Sequence, residues 1–378
     1  MPEILHSAFC ILQSSFPFAL GLAAAVLEIP SVNSAAAYRI VKLANGAHSV
    51  HSLAHHETFH PVIGPVAEAE ALYVRQLRLV KRLQRHTGEF VLWDVGLGAA
   101  ANALTALRAT RDIPCSIHLL SFDHTLEPLA FALQHREALG YLGGYEQRLE
   151  RLLREHYCAF RDGPQSVKWD MHLADFPALL AQLAALALPM NPDSPESRPR
   201  GSLSPSEGGM AGVRGAFPLS PSEGERAGER GPSSPGGSGA QCASTGRGVL
   251  APPHVIMFDA FSPATNPAMW TQPLFANLFR LLAPDRPCSL PTYSRSTMLR
   301  VTLLLAGFFV GVGHATGEKE ETTIAANTAD FIAEPLDRRW LQRARCSTSA
   351  EPLWEPVYRQ ARLSPATWYK LLQHKQFR

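Results

Sequence analysis

"EFVLWDVGLGAAAN", residues 89–102, decides the fold of this 378-residue chain. An apolar run ends in Asp94, a turn with Gly96 and Gly98 follows, and an alanine-rich segment comes next. A strand, a glycine turn and a helix in this order predict a doubly wound α/β fold, in which ligands bind at the carboxyl ends of parallel strands. Gly96, Gly98 and Ala101 also satisfy the dinucleotide fingerprint G-x-G-x-x-G/A, which is a weak signal on its own.

The same alternation of strand and helix continues along the chain. Apolar or alternating runs predict strands over 89–96, 115–123, 167–175, 254–261 and 288–294. Helical patterns follow them over 100–110, 125–139, 176–186, 267–284 and 296–308, the fourth being interrupted near Pro273. Strands that alternate with helices of this length predict βαβ units and a mostly parallel sheet.

Five segments are predicted along the chain. Residues 1–37 are expected to form a poorly ordered extension or to result from an upstream start codon. A cleaved secretory signal is the alternative, although Glu3 and the lack of Lys or Arg before Arg39 disfavour it. The Pro-, Gly- and Ser-rich stretch 191–249 contains an internal repeat and predicts a disordered insertion. It divides one α/β domain into residues 38–190 and 250–350, and a C-terminal helical tail follows over 351–378.

The overall composition is globular, with 46% hydrophobic and 18% charged residues and a formal net charge of +2. This balance argues against a protein that coats nucleic acid along its whole surface, but it permits local basic patches. The six cysteines are scattered singly without zinc spacing, so we predict reduced thiols, a cytoplasmic protein and no metal site. Polar residues and Pro17 interrupt the apolar stretch 8–29, which makes it a poor membrane span.

Four predicted strands end at or near an acidic residue, namely Asp94, Asp123, Asp175 and Asp259. Any one of them could serve as a helix N-cap or a turn residue. Because the carboxyl ends of parallel strands meet at one edge of a sheet, four such acids together predict a ligand site. Acids there can accept hydrogen bonds from ribose hydroxyls and an exocyclic amine, which indicates a nucleoside-containing cofactor.

The motif "FDAFSPATNPAMW", residues 258–270, carries a specific resemblance. It is similar to the Asp-Gly-Phe-x-Pro-x-x-Asn-Pro-x-Met-Trp loop of the MnmC-type methyltransferase domain, which makes 5-methylaminomethyl-2-thiouridine at the tRNA wobble position. Ala260 stands where that family usually has Gly. Residues 45–74 and 292–310 also resemble the family, and the whole resemblance spans roughly residues 38–190 and 250–350.

The resemblance implies a class I S-adenosylmethionine-dependent methyltransferase, with a Rossmann-like, doubly wound, mostly parallel sheet, an N-terminal segment ahead of it and the disordered insertion. It implies that an aminomethyl-uridine at the tRNA wobble position is converted to methylaminomethyl-uridine, with tRNA as the partner. No second glycine fingerprint follows Asn327, so the resemblance implies a stand-alone enzyme without the family's flavin oxidoreductase domain. A separate flavin oxidoreductase or aminomethyl-forming enzymes would then act upstream, and no membrane partner is expected.

Each candidate site residue receives a role from this comparison. Asp259 is the candidate catalytic residue, because a carboxylate there could hold the acceptor amine and relay its proton. The expected cofactor-binding residues are Asp94, Gly96, Gly98, Asn102, Asp123, Asp175 and Glu57. The expected substrate-binding residues are Phe261, Pro263, Asn266, Trp270 and His60. Trp270 has a second interpretation, in which it packs beneath the loop instead of stacking on a flipped base, and His60 could equally be structural.

Departures from the family pattern keep other functions open. Ala99 and Ala100 replace a Thr and a Gly of the family's turn, and an alanine there could weaken cofactor binding if the position requires a positive φ. The alternatives are a methyltransferase for another amine, an NAD-dependent oxidoreductase, and a non-catalytic RNA-binding relative. The arginine-rich runs 74–86 and 337–349 would suit tRNA, but solvated helix faces explain them equally well.

Overall fold

The computed structural model describes residues 37–187, 250–317 and 320–378. The predicted insertion 191–249 lies outside the described residues, as does the predicted N-terminal extension up to residue 36.

Helices and strands alternate through most of the described chain. The strands are β1 (Tyr38–Lys42), β2 (His48–Ser52), β3 (Glu57–Thr58), β4 (Glu89–Val95), β5 (Ser116–Asp123), β6 (Tyr157–Asp162), β7 (Gln165–Leu173), β8 (Val255–Phe258), β9 (Ser289–Thr292), β10 (Phe309–Gly313) and β11 (Thr322–Ala326). The α-helices are α1 (Pro65–Ala69), α2 (Leu79–Arg85), α3 (Ala101–Thr110), α4 (Glu127–Gln134), α5 (Arg136–Leu139), α6 (Glu146–Glu155), α7 (Phe176–Leu186), α8 (Gln272–Leu281), α9 (Thr297–Ala306), α10 (Arg338–Cys346) and α11 (Pro365–Leu372).

The main sheet has eight strands in the order β10-β11-β9-β8-β4-β5-β7-β6. The pairs β9–β8, β8–β4, β4–β5 and β5–β7 are parallel, whereas β6, β10 and β11 add antiparallel pairs at the two edges. The chain begins this sheet at β4, extends to β5 and β7 on one side, and later returns to β8 on the other. The strand order therefore reverses beside β4, which is where an open α/β sheet binds its ligand. The predicted fold class is confirmed.

Both faces of the sheet are covered. Along β4, Phe90 and Leu92 pack into one apolar cluster, while Val91, Trp93 and Val95 pack into the other. This division follows from the two-residue period of a strand. It also explains why the strand reads as a continuous apolar run, since a parallel sheet is buried on both faces.

Several predicted boundaries change in the structure. The helix predicted over 125–139 is two helices, α4 and α5, that meet at His135. The helix predicted over 267–284 is a 3₁₀ turn, Pro267–Trp270, followed by α8, whose first turn accommodates Pro273 because an N–H is not needed there. The strands predicted to end at 175 and 261 end at Leu173 and Phe258.

Other elements were not predicted. A separate three-stranded antiparallel sheet, β1-β2-β3, precedes the main one. Residues Glu70–Arg75 form a π-helical segment, and α6, β6, β10 and β11 complete the fold. Within the predicted tail 351–378, α11 and a 3₁₀ turn at Lys375–Phe377 are helical. Among the described residues, no helix combines the length and apolar character that crossing a bilayer requires.

One arginine of the run 74–86 does not lie on a solvated face. Arg82 is partly buried; its guanidinium donates to the His254 carbonyl at 2.9 Å and to the Ser289 hydroxyl at 3.2 Å. Burial lowers the pKa of Arg82 to about 10. Arg82 therefore links α2 to the main sheet, and the basic-patch interpretation does not apply to it.

Candidate active site

The glycine turn after β4 lies directly against the loop after β8. Gly96 has a φ of 90°, and its N–H donates to the Phe122 carbonyl at 2.9 Å. A Cβ at Gly96 would lie 2.6 Å from the Asp259 carbonyl oxygen, closer than real contacts allow. Glycine is therefore required here for both its backbone conformation and the close approach of the two loops.

The start of α3 explains what the two unusual alanines do. Ala100 is fully buried and occupies the left-handed region, with φ 61° and ψ 19°. This is a conformation that glycine adopts without steric penalty and alanine does not. Ala99 lines the cavity described below, whereas Ala100 is absent from its lining. The condition named from the sequence, a positive φ at this turn, is therefore met at Ala100.

Asp123 closes the other side of the glycine turn. It is the last residue of β5, and its Oδ2 accepts a hydrogen bond from the Gly98 N–H at 3.0 Å. Its Oδ1 accepts from the His124 N–H at 2.8 Å. Asp123 also raises the pKa of His124 through a hydrogen bond to the imidazole. The carboxylate therefore holds the turn and stands at the edge of the cavity, where an acid of a ribose site is expected.

Asp259 forms the centre of a polar cluster. It follows β8 directly, and its Oδ2 accepts a hydrogen bond from Asn102 Nδ2 at 2.7 Å. The Nε2 of His60 lies 3.5 Å from the same oxygen, and the Nδ1 of His60 lies 3.9 Å from Glu68 Oε1. His60 has a φ of 49°, which is uncommon for a residue other than glycine. Side chains predicted separately as catalytic, cofactor-binding and substrate-binding thus meet at one carboxylate.

Glu57 holds the loop after β8 in place. Its carboxylate accepts from the Ser262 N–H at 3.1 Å and from the hydroxyls of Ser262 and Thr265. Phe261 stacks on His55 with 4.3 Å between ring centroids. The N-terminal sheet therefore contacts the loop directly, and Glu57 lines the cavity while it orders the loop that frames it.

Trp270 supports the loop from beneath. It is fully buried, and its indole Nε1 donates to the Phe261 carbonyl at 2.7 Å. Neither Trp270 nor Pro263 lines the cavity, whereas Phe261 and Asn266 do. The structure thus favours the second interpretation of Trp270, packing under the loop, over stacking on a substrate base.

Asp94 and Asp175 occupy positions different from the other two acids. Asp94 lies one residue before the end of β4, is fully buried, and is absent from the cavity lining. Its Oδ2 accepts from the Ser121 hydroxyl at 2.9 Å, but burial dominates and raises the pKa of Asp94 to about 8. Asp175 lines the cavity and is the N-cap of α7, accepting from the Ala178 N–H at 3.0 Å. The four acids therefore do not form one set of equivalent ligand-binding side chains at the edge of the sheet.

The loops enclose a cavity of about 750 Å³ at the carboxyl ends of β4, β5, β7 and β8. This volume lies within the range of small-molecule and cofactor sites. Sequence reasoning missed several of its lining residues, including Tyr38, Phe59, His124 and Tyr293. Tyr293 follows the end of β9, so its place at a strand end was the available signal. Within the described ranges, no group of three or more His, Cys, Asp or Glu side chains could hold a metal ion.

Comparison with known proteins points to one class. Residues 252–328 match the profile of a family described as S-adenosyl-L-methionine-dependent methyltransferase. The matched range begins before β8, contains Asp259 and the loop to Trp270, and ends after β11. The match therefore covers the part of the site that follows β8 and contains the predicted catalytic residue.

The particular relatives are MnmC proteins. The bifunctional tRNA 5-methylaminomethyl-2-thiouridine biosynthesis protein MnmC of Ectopseudomonas mendocina is 37% identical over 94 residues, 24% of this chain and 13% of that protein. Its counterpart in Methylibium petroleiphilum is 36% identical over 97 residues, 24% of this chain and 14% of that protein. The matches thus span a small part of these longer relatives.

A solved structure extends the comparison to nearly the whole chain. The crystal structure of MNMC2 from Aquifex aeolicus superposes with a TM-score of 0.52 and 17% identity, covering 89% of this chain and 82% of that one. At this identity the likeness shows the fold. Together with the sequence matches, it confirms the resemblance to the MnmC methyltransferase domain that the motif at 258–270 predicted.

Proposed function

We propose that this protein is an S-adenosylmethionine-dependent N-methyltransferase that converts an aminomethyl-uridine at the tRNA wobble position to methylaminomethyl-uridine. The observation that carries the proposal is the cluster of Asn102, His60 and Asp259 in the cavity beside the glycine turn. The family match over 252–328 and the MnmC relatives support the same activity and substrate. An enzyme for tRNA would act in the cytoplasm, after an enzyme that forms the primary aminomethyl group.

The residues of the cavity suit the proposed cofactor. Gly96 and Gly98 let the backbone approach a ligand closely, and Asp123 offers a carboxylate at the end of β5. Asn102 lines the cavity, and its buried Oδ1 has no hydrogen-bond partner among the described residues. A buried acceptor without a partner costs free energy, so a ligand that donates a hydrogen bond would satisfy it. An ammonium or amine group of the cofactor or the acceptor has that chemistry.

The residues around Asp259 can prepare the acceptor for methyl transfer. S-adenosylmethionine supplies an electrophilic methyl carbon bound to a sulfonium sulfur. The acceptor nitrogen forms the new C–N bond as the C–S bond breaks, and it must lose a proton to be nucleophilic. Asp259 can accept that proton, because its carboxylate reaches the cavity while Asn102 and His60 fix its orientation. The surrounding loops align the groups and exclude water.

The test is mass spectrometry of tRNA nucleosides. Purified protein is incubated with isotopically labelled S-adenosylmethionine and tRNA that carries the aminomethyl-uridine. We expect a labelled methylaminomethyl nucleoside with the wild-type protein, and a rate lower by roughly 10²- to 10⁴-fold with Asp259→Ala. Asp285→Ala removes an exposed acid and is the matched control. An unchanged aminomethyl-uridine with wild-type protein would overturn the proposed substrate, and full activity of Asp259→Ala would overturn the role of Asp259.

A binding measurement separates this function from the oxidoreductase alternative. Gly96, Gly98 and Ala101 also satisfy the dinucleotide fingerprint, so NAD is the competing ligand. Calorimetry with S-adenosylhomocysteine should show binding, and the same titration with NAD should show none. Tight NAD binding without S-adenosylhomocysteine binding would contradict the proposal.

A further inference from the structure

The C-terminal part of the chain exposes aromatic rings beside basic side chains. Trp354, Tyr358 and Tyr369 have 44%, 40% and 64% of their surfaces exposed. Single exposed apolar residues are ordinary, but three exposed aromatic rings within residues 354–369, with Trp354 in direct contact with Lys370, are typical of an interaction surface. We call this region the C-terminal surface and define it by the exposed side chains of Trp354, Tyr358, Arg359, Arg362, Tyr369 and Lys370.

Basic side chains predominate among the exposed charges of this surface. Between positions 351 and 378 the acids are Glu351, which accepts from the Trp354 indole, and Glu355, whereas Arg359, Arg362 and Lys370 are all exposed. The Nζ of Lys370 lies 5.5 Å from the centroid of the Trp354 ring, so cation and aromatic ring are direct neighbours. Aromatic rings that accept stacked bases, together with cations that contact phosphates, are the two components of a site for single-stranded nucleic acid.

The surface is ordered although residues 351–364 contain no helix or strand. The Glu351 carboxylate accepts from the Ser364 N–H at 2.8 Å and from the Trp354 indole at 3.2 Å. The Ala361 carbonyl accepts from the backbone N–H groups of Ala350 and Glu351 at 2.8 and 3.0 Å. A surface held in this way loses little conformational entropy when a ligand binds.

The segment that carries the surface is joined to the loop after β8 through a buried contact. Leu353 forms a β-bridge with Thr271, and its carbonyl accepts from the Gln272 N–H at 2.7 Å. Thr271 directly follows Trp270, the residue that supports the loop of Asp259. This contact anchors the start of the C-terminal segment to the buried side of that loop.

We propose that the C-terminal surface binds unpaired nucleotides of an RNA, with Tyr358 and Tyr369 stacking on bases and Arg359 and Arg362 contacting phosphates. The identity of that RNA as the tRNA substrate rests on the proposed function. Sequence-tolerant stacking suits an enzyme whose specificity for the reacting base is set in the cavity, since every base offers a π-face.

The test measures tRNA binding to the full chain by fluorescence anisotropy at several salt concentrations. The variant Tyr358→Ala/Arg359→Gln should raise the Kd for a tRNA transcript about tenfold and reduce the salt slope by about 1. Tyr369→Ala alone should raise the Kd about fivefold or more. Tyr157→Ala/Arg154→Gln is the matched control, because both residues are exposed near the opposite edge of the main sheet. All variants should melt at the wild-type temperature.

The outcomes separate this inference from the proposed function. Weaker binding in the C-terminal variants but not in the control supports the surface, even if no methyl transfer to tRNA is detected; in that case the proposed function alone fails. Unchanged binding in both C-terminal variants overturns the surface, even if methyl transfer is normal. Wild-type protein that binds no tRNA at low salt also overturns it. A wild-type dimer that the C-terminal substitutions dissociate, with RNA affinity unchanged, assigns the surface to a protein contact instead.

Discussion

Asn102 donates a hydrogen bond to Asp259 across 2.7 Å, although 157 residues separate the two in sequence. Asn102 lies in the first turn of α3, immediately after the glycine turn, and Asp259 follows β8. The bond therefore joins the part of the site expected to hold the cofactor to the part expected to hold the acceptor. A substitution in either element should therefore alter the position of the side chain in the other.

Asn102→Ala is expected to lower the rate of methyl transfer by about 10- to 100-fold, since a hydrogen bond to a charged group contributes about 1.5–3 kcal/mol. The substitution leaves Asp259 in place but frees its orientation. Single-turnover kinetics with labelled S-adenosylmethionine measure the effect. Asn277→Ala, on the partly exposed side of α8, is the control and should keep the wild-type rate. A wild-type rate in Asn102→Ala would show that the bond has no part in positioning the carboxylate.

Gly96→Ala should destabilise the protein by more than about 2 kcal/mol and abolish binding of S-adenosylhomocysteine. The added Cβ would meet the Asp259 carbonyl oxygen at 2.6 Å, and the backbone φ of 90° disfavours alanine. Thermal unfolding and calorimetry test the two effects. Gly143→Ala is the control, because its Cβ would have nothing within 4 Å. Equal stability of the two variants would contradict the close approach of the loops.

Ala100→Gly should stabilise the protein by roughly 0.5–1 kcal/mol. The left-handed conformation at φ 61° costs alanine about 1–2 kcal/mol, and the greater flexibility of glycine in the unfolded chain offsets part of the gain. Chemical denaturation measures the difference. Ala103→Gly, in the same helix, should instead destabilise by roughly 0.5–1 kcal/mol. A loss of stability in Ala100→Gly would mean that the strain is absent in solution.

Asp94 should make the folded state less stable as the pH rises. Burial raises the folded-state pKa of Asp94 from 3.8 to about 8. Between these two values the folded chain keeps a proton that the unfolded chain releases, so the free energy of unfolding falls with increasing pH, by up to about 1.4 kcal/mol per unit. The contribution is fully present below pH 3.8 and is lost by about pH 8.

Asp94→Asn removes this titration. Unfolding curves at a series of pH values should show a flatter dependence for Asp94→Asn than for the wild-type protein between pH 5 and 8. The difference between the two slopes isolates Asp94 from other titrating groups. Parallel curves for the two proteins would contradict a protonated Asp94 in the fold.

Local sequence determined the parallel centre of this protein. Neighbours in sequence specify β4, its glycine turn and the helix after it. Burial on both faces selects apolar residues along the strand, and a positive φ selects glycine in the turn. The motif at 258–270 similarly identified Asp259 and its loop. Even the concern about Ala100 followed from the sequence, because the family's glycine at that position already indicated a positive φ.

Only the tertiary structure determined the features that depend on residues distant in sequence. The antiparallel strands β6, β10 and β11 were missed because strand pairing depends on context more than on propensity. Glu57 orders a loop about 200 residues away, and Arg82 donates hydrogen bonds to His254 and Ser289, which no local pattern links to it. Asp94 and Asp123 look alike in sequence, but Asp94 lies opposite Ser121 in the sheet, so Asp123 extends two residues further and reaches the cavity while Asp94 stays buried.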